Sequence, residues 1–277
     1  SYFMVNEVRV SEHYSRKDLF KIIKQGLIQE GVDLDLVSPE DLSSVDEFHI
    51  GGIEGTRFVS DKLGLSSMSK VLDIGCGIGG PARFIAETYK SSVTGIDLTA
   101  SYVKAGVALN ELVGLSGKVN LLTASALEMP FCDNHFDATY MIHVGMNIAN
   151  KKQLMSEAFR VTKPDGFFVL YDVMKLEDVD IEYPLPWADK KSESAVELIS
   201  NYESALENAG FHIVEKENKT KFAITFFQNM IANTKKNGPT PLGLHLLMGD
   251  NTSKKISNIF RQIQDEILAP TVIVSKK

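Results

Sequence analysis

Residues 71–80 read Val-Leu-Asp-Ile-Gly-Cys-Gly-Ile-Gly-Gly, and this stretch decides the fold class. A short β-rich run enters a cluster of four glycines, and Pro81 follows where the first turn of a helix needs no N–H donor. Glycines let the backbone turn tightly and let a ligand approach the main chain. The stretch therefore predicts a strand, a ligand-binding loop and a helix in immediate succession.

Outward from this loop, short apolar runs alternate with amphipathic stretches as far as residue 172. Apolar strands separated by helices indicate a parallel sheet that is covered on both faces. We predict an α/β fold, a Rossmann-like doubly wound sheet of seven strands that is mostly parallel. The predicted strands are 71–74, 92–97, 119–123, 136–142, 166–172, 211–216 and 270–275, and the predicted helices of the core are 79–90, 100–113 and 151–161.

The flanks of the alternating region predict two accessory parts. Residues 1–69 read as an N-terminal helical lid, with one helix from Ser15 to Gly31 and another over 52–63. Residues 70–277 form the core, with cap insertions at about 174–194 and 220–267. An insertion this long between two strands favours a cap over the binding site rather than a tight hairpin.

Composition excludes several classes of protein. The net charge is -7, and no long Lys/Arg cluster is present. Both observations argue against a nucleic-acid partner, because such proteins usually carry a basic surface. We expect no membrane span and no signal peptide, because no run of about 18 apolar residues occurs. The two cysteines, Cys76 and Cys132, fit a reducing cytoplasm. The six histidines lack metal-site spacing, so no metal is predicted.

The glycine loop is compatible with two kinds of nucleoside cofactor. Gly75, Gly77 and Gly80 satisfy the dinucleotide fingerprint, so an NAD-dependent oxidoreductase is one alternative. Asp73, two residues before the first glycine, would crowd a pyrophosphate but suits an ammonium group, while helix N–H groups can hold a carboxylate. Asp97, at the end of the second strand, can accept hydrogen bonds from the ribose hydroxyls of either cofactor. Asp73 therefore favours a zwitterionic nucleoside.

Four stretches in order resemble the motifs of class I S-adenosylmethionine-dependent methyltransferases: 71–80, 96–98, 127–137 and 160–166. The last reads Arg-Val-Thr-Lys-Pro-Asp-Gly and is similar to the RVLKPGG turn of that family. The resemblance is nearest to the group of the ubiquinone and menaquinone C-methyltransferases. It implies in-line SN2 transfer of a methyl group from S-adenosylmethionine to a small-molecule acceptor, by O-, N- or C-methylation. A noncatalytic S-adenosylmethionine-binding protein is a further alternative.

The resemblance also implies which residues bind the cofactor. The chain departs from the family at Ser125, where an aspartate commonly accepts a bond from the adenine amino group, and a hydroxyl is a weaker acceptor. The expected cofactor-binding residues are Tyr14, Asp73, Gly75, Cys76, Gly77, Gly79, Asp97, Leu98, Ser125, Ala126, Leu127 and His143.

Catalytic candidates follow from where parallel sheets bind ligands, which is at the carboxyl ends of the strands. His143 after the fourth strand is the first choice for a general base, because an unperturbed histidine titrates near neutrality. Asp172 after the fifth strand and His49 in the lid are the other candidates. The sequence leaves open the acceptor, its reacting atom, the oligomeric state and whether the aromatic and methionine side chains of the cap form core or an apolar pocket: Trp187, Phe226, Phe227, Met230, His245 and Met248.

Overall fold

The computed structural model describes residues 18–240, 243, 245–249 and 251–277. Seven strands form one sheet in the order β3-β2-β1-β4-β5-β7-β6, and β7 runs antiparallel to both of its neighbours. The prediction of a mostly parallel, seven-stranded α/β sheet is confirmed. The strands are β1 (Lys70–Ile74), β2 (Ser92–Asp97), β3 (Val119–Thr123), β4 (Phe136–Ile142), β5 (Thr162–Lys175), β6 (His212–Asn218) and β7 (Leu268–Lys276).

The fifth strand is longer than its apolar run predicts. It extends to Lys175 because each residue from Phe167 onward pairs with β7, ending at Lys175 opposite Leu268. The strand order reverses between β1 and β4, which lie side by side and parallel. In open α/β sheets a crevice forms at such a switch point, outside the carboxyl ends of the strands.

Helices cover both faces of the sheet, as the alternation predicts. Successive residues of β1 belong to opposite cores, since Val71 packs in one apolar cluster and Leu72 in the other. The helices are α1 (Leu19–Gln29), α2 (Ser43–Asp46), α3 (Gly52–Asp61), α4 (Gly80–Tyr89), α5 (Ala100–Leu112), α6 (Lys151–Val161), α7 (Ile199–Ala209), α8 (Thr220–Asn237), α9 (His245–Met248) and α10 (Thr252–Gln264).

The first described helix begins later than predicted. The Asp18 carboxylate accepts a hydrogen bond from the Phe20 N–H at 3.0 Å, so Asp18 is the N-cap and the helix starts at Leu19. Ser15, the predicted start, lies outside the described residues. The helix ends at Gln29, just before Gly31, which has a φ of +79°. Its apolar face packs against α5 and anchors the lid to the core.

The lid and the cap meet above the glycine loop. Phe58 of α3 and Phe222 of α8 pack edge to face, with ring centroids 5.2 Å apart. Gly51 approaches the same ring so closely that a Cβ there would lie 2.4 Å from Phe222 Cε1. Within the described part of the chain, no helix combines the length and apolar character that crossing a membrane would need.

Candidate functional site

A cavity of about 170 Å³ lies at the carboxyl ends of β1, β2 and β4. The glycine loop forms its floor, the lid residues 46–50 cover one side, and segments of the cap close the other. Among the predicted site residues, those that line it are Asp73, Gly75, Cys76, Gly77, Asp97, Leu98, Ala126, His143 and His49. Gly79, Ser125, Leu127 and Asp172 are not among the lining residues. Tyr14 lies outside the described residues.

Two glycines give the loop its shape. Gly75 has a φ of +76°, and a Cβ there would lie 2.4 Å from Val144 Cγ2, so only glycine fits. Gly77 has a φ of +56°, and a Cβ there would meet no atom within 4 Å. The main chain at Gly77 thus faces open space in the cavity, which is the cradle that a ligand needs to approach a backbone. Gly79 instead lies against the Arg83 guanidinium, where it shapes the start of α4.

Asp97 closes the loop over the end of β2. One carboxylate oxygen accepts the Gly77 N–H and the other accepts the Thr99 N–H, both at 2.9 Å. Burial raises the pKa of Asp97, and these two hydrogen bonds oppose that rise. The Thr99 side chain also hydrogen-bonds to this carboxylate, so these three bonds leave one of its roughly four lone-pair sites for a ligand hydroxyl.

Asp73 lies at the junction of β1 and the loop, and its side chain is only 2% exposed. The Tyr140 hydroxyl donates to it at 2.7 Å. Burial raises the pKa of Asp73 from 3.8 to about 7, against the Tyr140 hydrogen bond, and the charge of Asp97 adds to the rise. A cation beside a buried carboxylate reverses such a shift. This pair of carboxylates therefore fits a ligand that carries both an ammonium group and adjacent hydroxyls.

His143 ties the lid to the core. Tyr171 O can only accept, so the His143 Nδ1–H donates to it at 2.9 Å, and the His143 Nε2 accepts the Ile50 N–H at 3.2 Å. The Tyr171 hydroxyl donates to Ile50 O at 2.9 Å, so both backbone groups of Ile50 are held. We call His143, Tyr171 and Ile50 the lid latch. Burial lowers the pKa of His143 to about 4, and neither ring nitrogen is free to take a proton while the latch is closed.

The hydrogen bonds of His49 involve only one of its ring nitrogens, unlike those of His143. Its Nε2 lies 2.7 Å from Gly52 O, which fixes the Nε2–H tautomer and leaves Nδ1 as an acceptor. The Glu47 carboxylate lies 3.4 Å from the same Nε2 and accepts the Thr56 hydroxyl at 2.6 Å. Burial, followed by the neighbouring His143, lowers the pKa of His49 to about 3. His49 is thus a neutral imidazole that lines the cavity.

The location of Asp172 differs from the one expected of a catalytic candidate. It is fully buried beneath the turn that follows β4 and lies outside the cavity, so it does not face an acceptor. Its carboxylate accepts the N–H groups of Val144 and Gly145 at 3.0 Å and the Tyr202 hydroxyl at 2.8 Å. Burial raises its pKa to about 6. Asp172 therefore supports the turn from below.

Ser125 also points away from the expected contact. Its hydroxyl accepts the Leu127 N–H at 3.1 Å and stabilises its own loop. Ala124 and Ala126 line the cavity on either side of it. An adenine ring in this part of the cavity would meet apolar side chains rather than the Ser125 hydroxyl.

Sequence reasoning missed Asp46 as a lining residue. Its carboxylate pairs with the fully buried Arg83 guanidinium at 3.0 Å, and Arg83 also donates to Ile78 O at 2.7 Å. The pair joins the end of α2 to the helix that follows the glycine loop. Thirty-seven residues separate the two partners, so no local pattern could reveal it. Burial raises the pKa of Asp46 to about 6 despite this cation.

Comparisons with known proteins agree with this geometry. Residues 72–170 match the family described as a methyltransferase domain. Phosphoethanolamine N-methyltransferase 1 of Triticum aestivum is 32% identical over 187 residues, which cover 68% of this chain and 37% of that protein. Sterol 24-C-methyltransferase of Yarrowia lipolytica is 31% identical over 167 residues, covering 58% of this chain and 44% of that protein. The chain thus spans less than half the length of these two relatives.

A solved structure shows the same fold. Phosphoethanolamine N-methyltransferase 2 of Haemonchus contortus, in complex with S-adenosyl-L-methionine, superposes with a TM-score of 0.71 at 18% identity. The match covers 87% of this chain and 57% of that one. At this identity the likeness concerns the fold alone, a mostly parallel seven-stranded sheet with flanking helices.

Proposed function

We propose that this chain, whose residues 72–170 match the family described as a methyltransferase domain, is a class I methyltransferase that transfers a methyl group from S-adenosylmethionine to a small-molecule acceptor. The observation that carries the proposal is the pair Asp73 and Asp97 on either side of the open backbone at Gly77. When bound, S-adenosylmethionine supplies a methyl group on a sulfonium, a very good leaving group for an in-line displacement.

Each part of the cofactor has a matching group in the cavity. Asp73 would bind the ammonium group, and its ionised form gains from that cation. Asp97 would accept from the ribose hydroxyls while it keeps its bonds to the loop. The N-terminus of α4 favours the carboxylate. Leu98 and Ala126 would contact the adenine ring.

A general base is needed only for an acceptor that begins protonated, and we propose His49 for that role. No described residue hydrogen-bonds to the His49 Nδ1, whereas both nitrogens of His143 are held in the lid latch. Glu47 lies 3.4 Å from the opposite nitrogen of His49, and burial raises the pKa of its carboxyl group well above the ordinary value. His143 then acts by keeping the lid closed over the reacting atoms. A base whose pKa lies near the operating pH contributes about 10²–10⁴-fold to the rate, and the low pKa of His49 places its contribution toward the lower end of that range.

Positioning supplies the rest of the catalysis. Well-oriented reactants gain on the order of 7–11 kcal/mol over a bimolecular encounter in favourable systems. The lid and the cap exclude water from the space between cofactor and acceptor. We place this reaction in the cytoplasm, which the two free thiols, Cys76 and Cys132, support.

Calorimetric titration tests the proposal directly. S-adenosylmethionine and S-adenosylhomocysteine should bind with one site each, and NAD should not bind, because its pyrophosphate would face Asp73. Transfer is then measured with S-adenosylmethionine labelled in its methyl group. Binding of NAD in preference to both adenosyl compounds would overturn the proposal.

A further inference from the structure

Among the residues that the structure describes, those that line the cap side of the cavity are all apolar. Segments 186–187, 226–230 and 247–259 contribute nine lining residues, and every one of them is apolar. We call these nine the acceptor wall. They include Pro186, Trp187, Phe226, Met230, Leu247 and Ile259.

Trp187 shows that this wall is apolar in its atoms as well as in its residue types. Its indole N–H, the one polar atom of the side chain, donates to the Ser194 hydroxyl at 2.9 Å. The ring itself is 6% exposed and lines the cavity. A ligand at Trp187 therefore meets a hydrocarbon face and no hydrogen-bond donor.

No lysine or arginine lines the cavity in the described part of the chain. The buried cations nearby are held elsewhere: Arg83 pairs with Asp46, and Lys151 donates to three backbone carbonyls. Lys255 donates to Met248 O at 2.9 Å and lies 3.5 Å from the Asp189 carboxylate. The charged groups that do line the cavity include three carboxylates. A phosphate or carboxylate on the acceptor would be desolvated here without a cation to pair with.

We propose that the acceptor is a lipophilic molecule that carries no phosphate or carboxylate on the part enclosed by the acceptor wall. This inference rests on the proposed function, because it assigns the half of the cavity that the cofactor does not fill. Apolar burial would supply the affinity, because removing apolar surface from water is favourable.

The test compares 1-naphthol with 1-naphthyl phosphate, which share one ring system and differ by a phosphate. Trp187 is the only tryptophan in the chain, so its fluorescence reports occupancy of this wall. With the protein saturated by S-adenosylhomocysteine, 1-naphthol should quench it with a dissociation constant at least about ten-fold below that of the phosphate. Equal binding, a preference for the phosphate or no binding of 1-naphthol would overturn the inference.

A matched pair of variants sharpens the result. Met230→Lys places a cation on the wall, and it should reduce the preference for 1-naphthol or reverse it. Ile231→Lys adds the same charge one residue later on α8, at a side chain that is 41% exposed and does not line the cavity, and it should keep the wild-type preference. A preference unchanged by Met230→Lys would contradict the proposed location.

The affinity for S-adenosylhomocysteine separates the two proposals. If S-adenosylhomocysteine binds and 1-naphthol does not, the proposed acceptor class is wrong and the proposed function stands. If it fails to bind to the folded wild-type protein, the proposed function fails as well. The same titration on both lysine variants shows whether they have folded with an intact cofactor half.

Discussion

Asp73 and Asp97, the two carboxylates proposed to bind the cofactor, differ in their hydrogen bonds within the protein. Asp97 accepts two backbone N–H groups and so shapes the loop as well as facing the ligand. Asp73 accepts one hydrogen bond, from the Tyr140 hydroxyl, and its buried carboxyl group can pair with a cation of the ligand. At the scale of single residues, we therefore expect substitutions of the two to have different consequences.

For Asp73 we predict that cofactor binding is coupled to the release of a proton. Its folded pKa of about 7 lies above its ordinary 3.8, so the folded protein holds the proton up to about pH 6 and loses it as pH rises through 7. The resulting stability is fully present only below about pH 4 and is lost as pH rises through 7. At pH 6, an ammonium ligand should displace about one proton, and at pH 8.5 about none. Calorimetry with S-adenosylhomocysteine in buffers of different ionisation enthalpy measures this release.

Asp73→Asn is the control for that measurement. The amide removes the titrating group, so the variant should bind more weakly and release no proton at pH 6. Release of as many protons by the variant as by the wild type would assign the titration to another group and contradict the ammonium contact.

For Asp97 we predict that Asp97→Ala weakens S-adenosylhomocysteine binding by about 1.5–3 kcal/mol for each charge-assisted hydrogen bond lost, which is roughly a factor of 10–150. The Gly77 and Thr99 N–H groups also lose their acceptor. Circular dichroism and the unfolding midpoint show whether the fold survives. Undiminished affinity in a folded variant would remove Asp97 from the ribose site.

At the scale of elements, the lid is held by the latch at Ile50 as well as by the packing of α1 against α5. The latch fixes Ile50 from two strands of the core, through His143 after β4 and Tyr171 on β5. His143 adopts a φ of +54°, an uncommon conformation for a residue other than glycine. The Asp172 carboxylate and the Lys151 ammonium hold the turn that begins there from beneath.

We predict that Tyr171→Phe opens the lid. It removes the donor to Ile50 O and leaves a buried carbonyl unsatisfied, at a cost of about 1–3 kcal/mol. Amide hydrogen exchange at residues 46–52 should speed up by roughly 5–150-fold if the segment opens locally, by the same energy scale. Tyr89→Phe is the matched control, because the Tyr89 hydroxyl donates to the exposed Asp61 carboxylate at 2.7 Å, away from the latch. Equal effects of the two substitutions would argue against a latch.

The elements themselves were largely predictable from sequence, and their partners were not. The glycine loop at 71–80 and the apolar periods around it were enough to predict all seven strands. The buried parallel strands leave continuous apolar runs, and the antiparallel edge strand β6 alternates between half-buried and exposed residues. The extra length of β5 came from pairing with β7, and the helix start at Asp18 from a local cap. Asp172 was predicted to face the site, but the face on which a strand residue lies depends on the register of the strand. The sequence does not indicate that the Tyr202 hydroxyl and the Gly145 N–H would bond to its carboxylate.

Across the whole molecule, three separate parts of the chain meet at one cavity: the lid, the sheet edge and the cap. The lid approaches the loop closely enough that a Cβ on Gly80 would lie 2.1 Å from Asp46 O. A ligand that contacts several parts stabilises the folded state as a unit, because it binds that state and not the unfolded chain. Ligand binding should therefore be visible in the unfolding of the entire protein.

We predict that S-adenosylhomocysteine at about 100 times its dissociation constant adds roughly 2.7 kcal/mol to the free energy of unfolding. For a chain of this size that corresponds to a rise in Tm of about 5 °C or more, measured by differential scanning calorimetry. NAD at the same concentration should leave the Tm unchanged. Asp97→Ala should show a smaller rise at that fixed concentration, and Ile231→Lys, outside the cavity, the full rise. A shift with NAD as large as with S-adenosylhomocysteine would mean that the cavity recognises adenosine alone, and the ammonium contact at Asp73 would then lose its support.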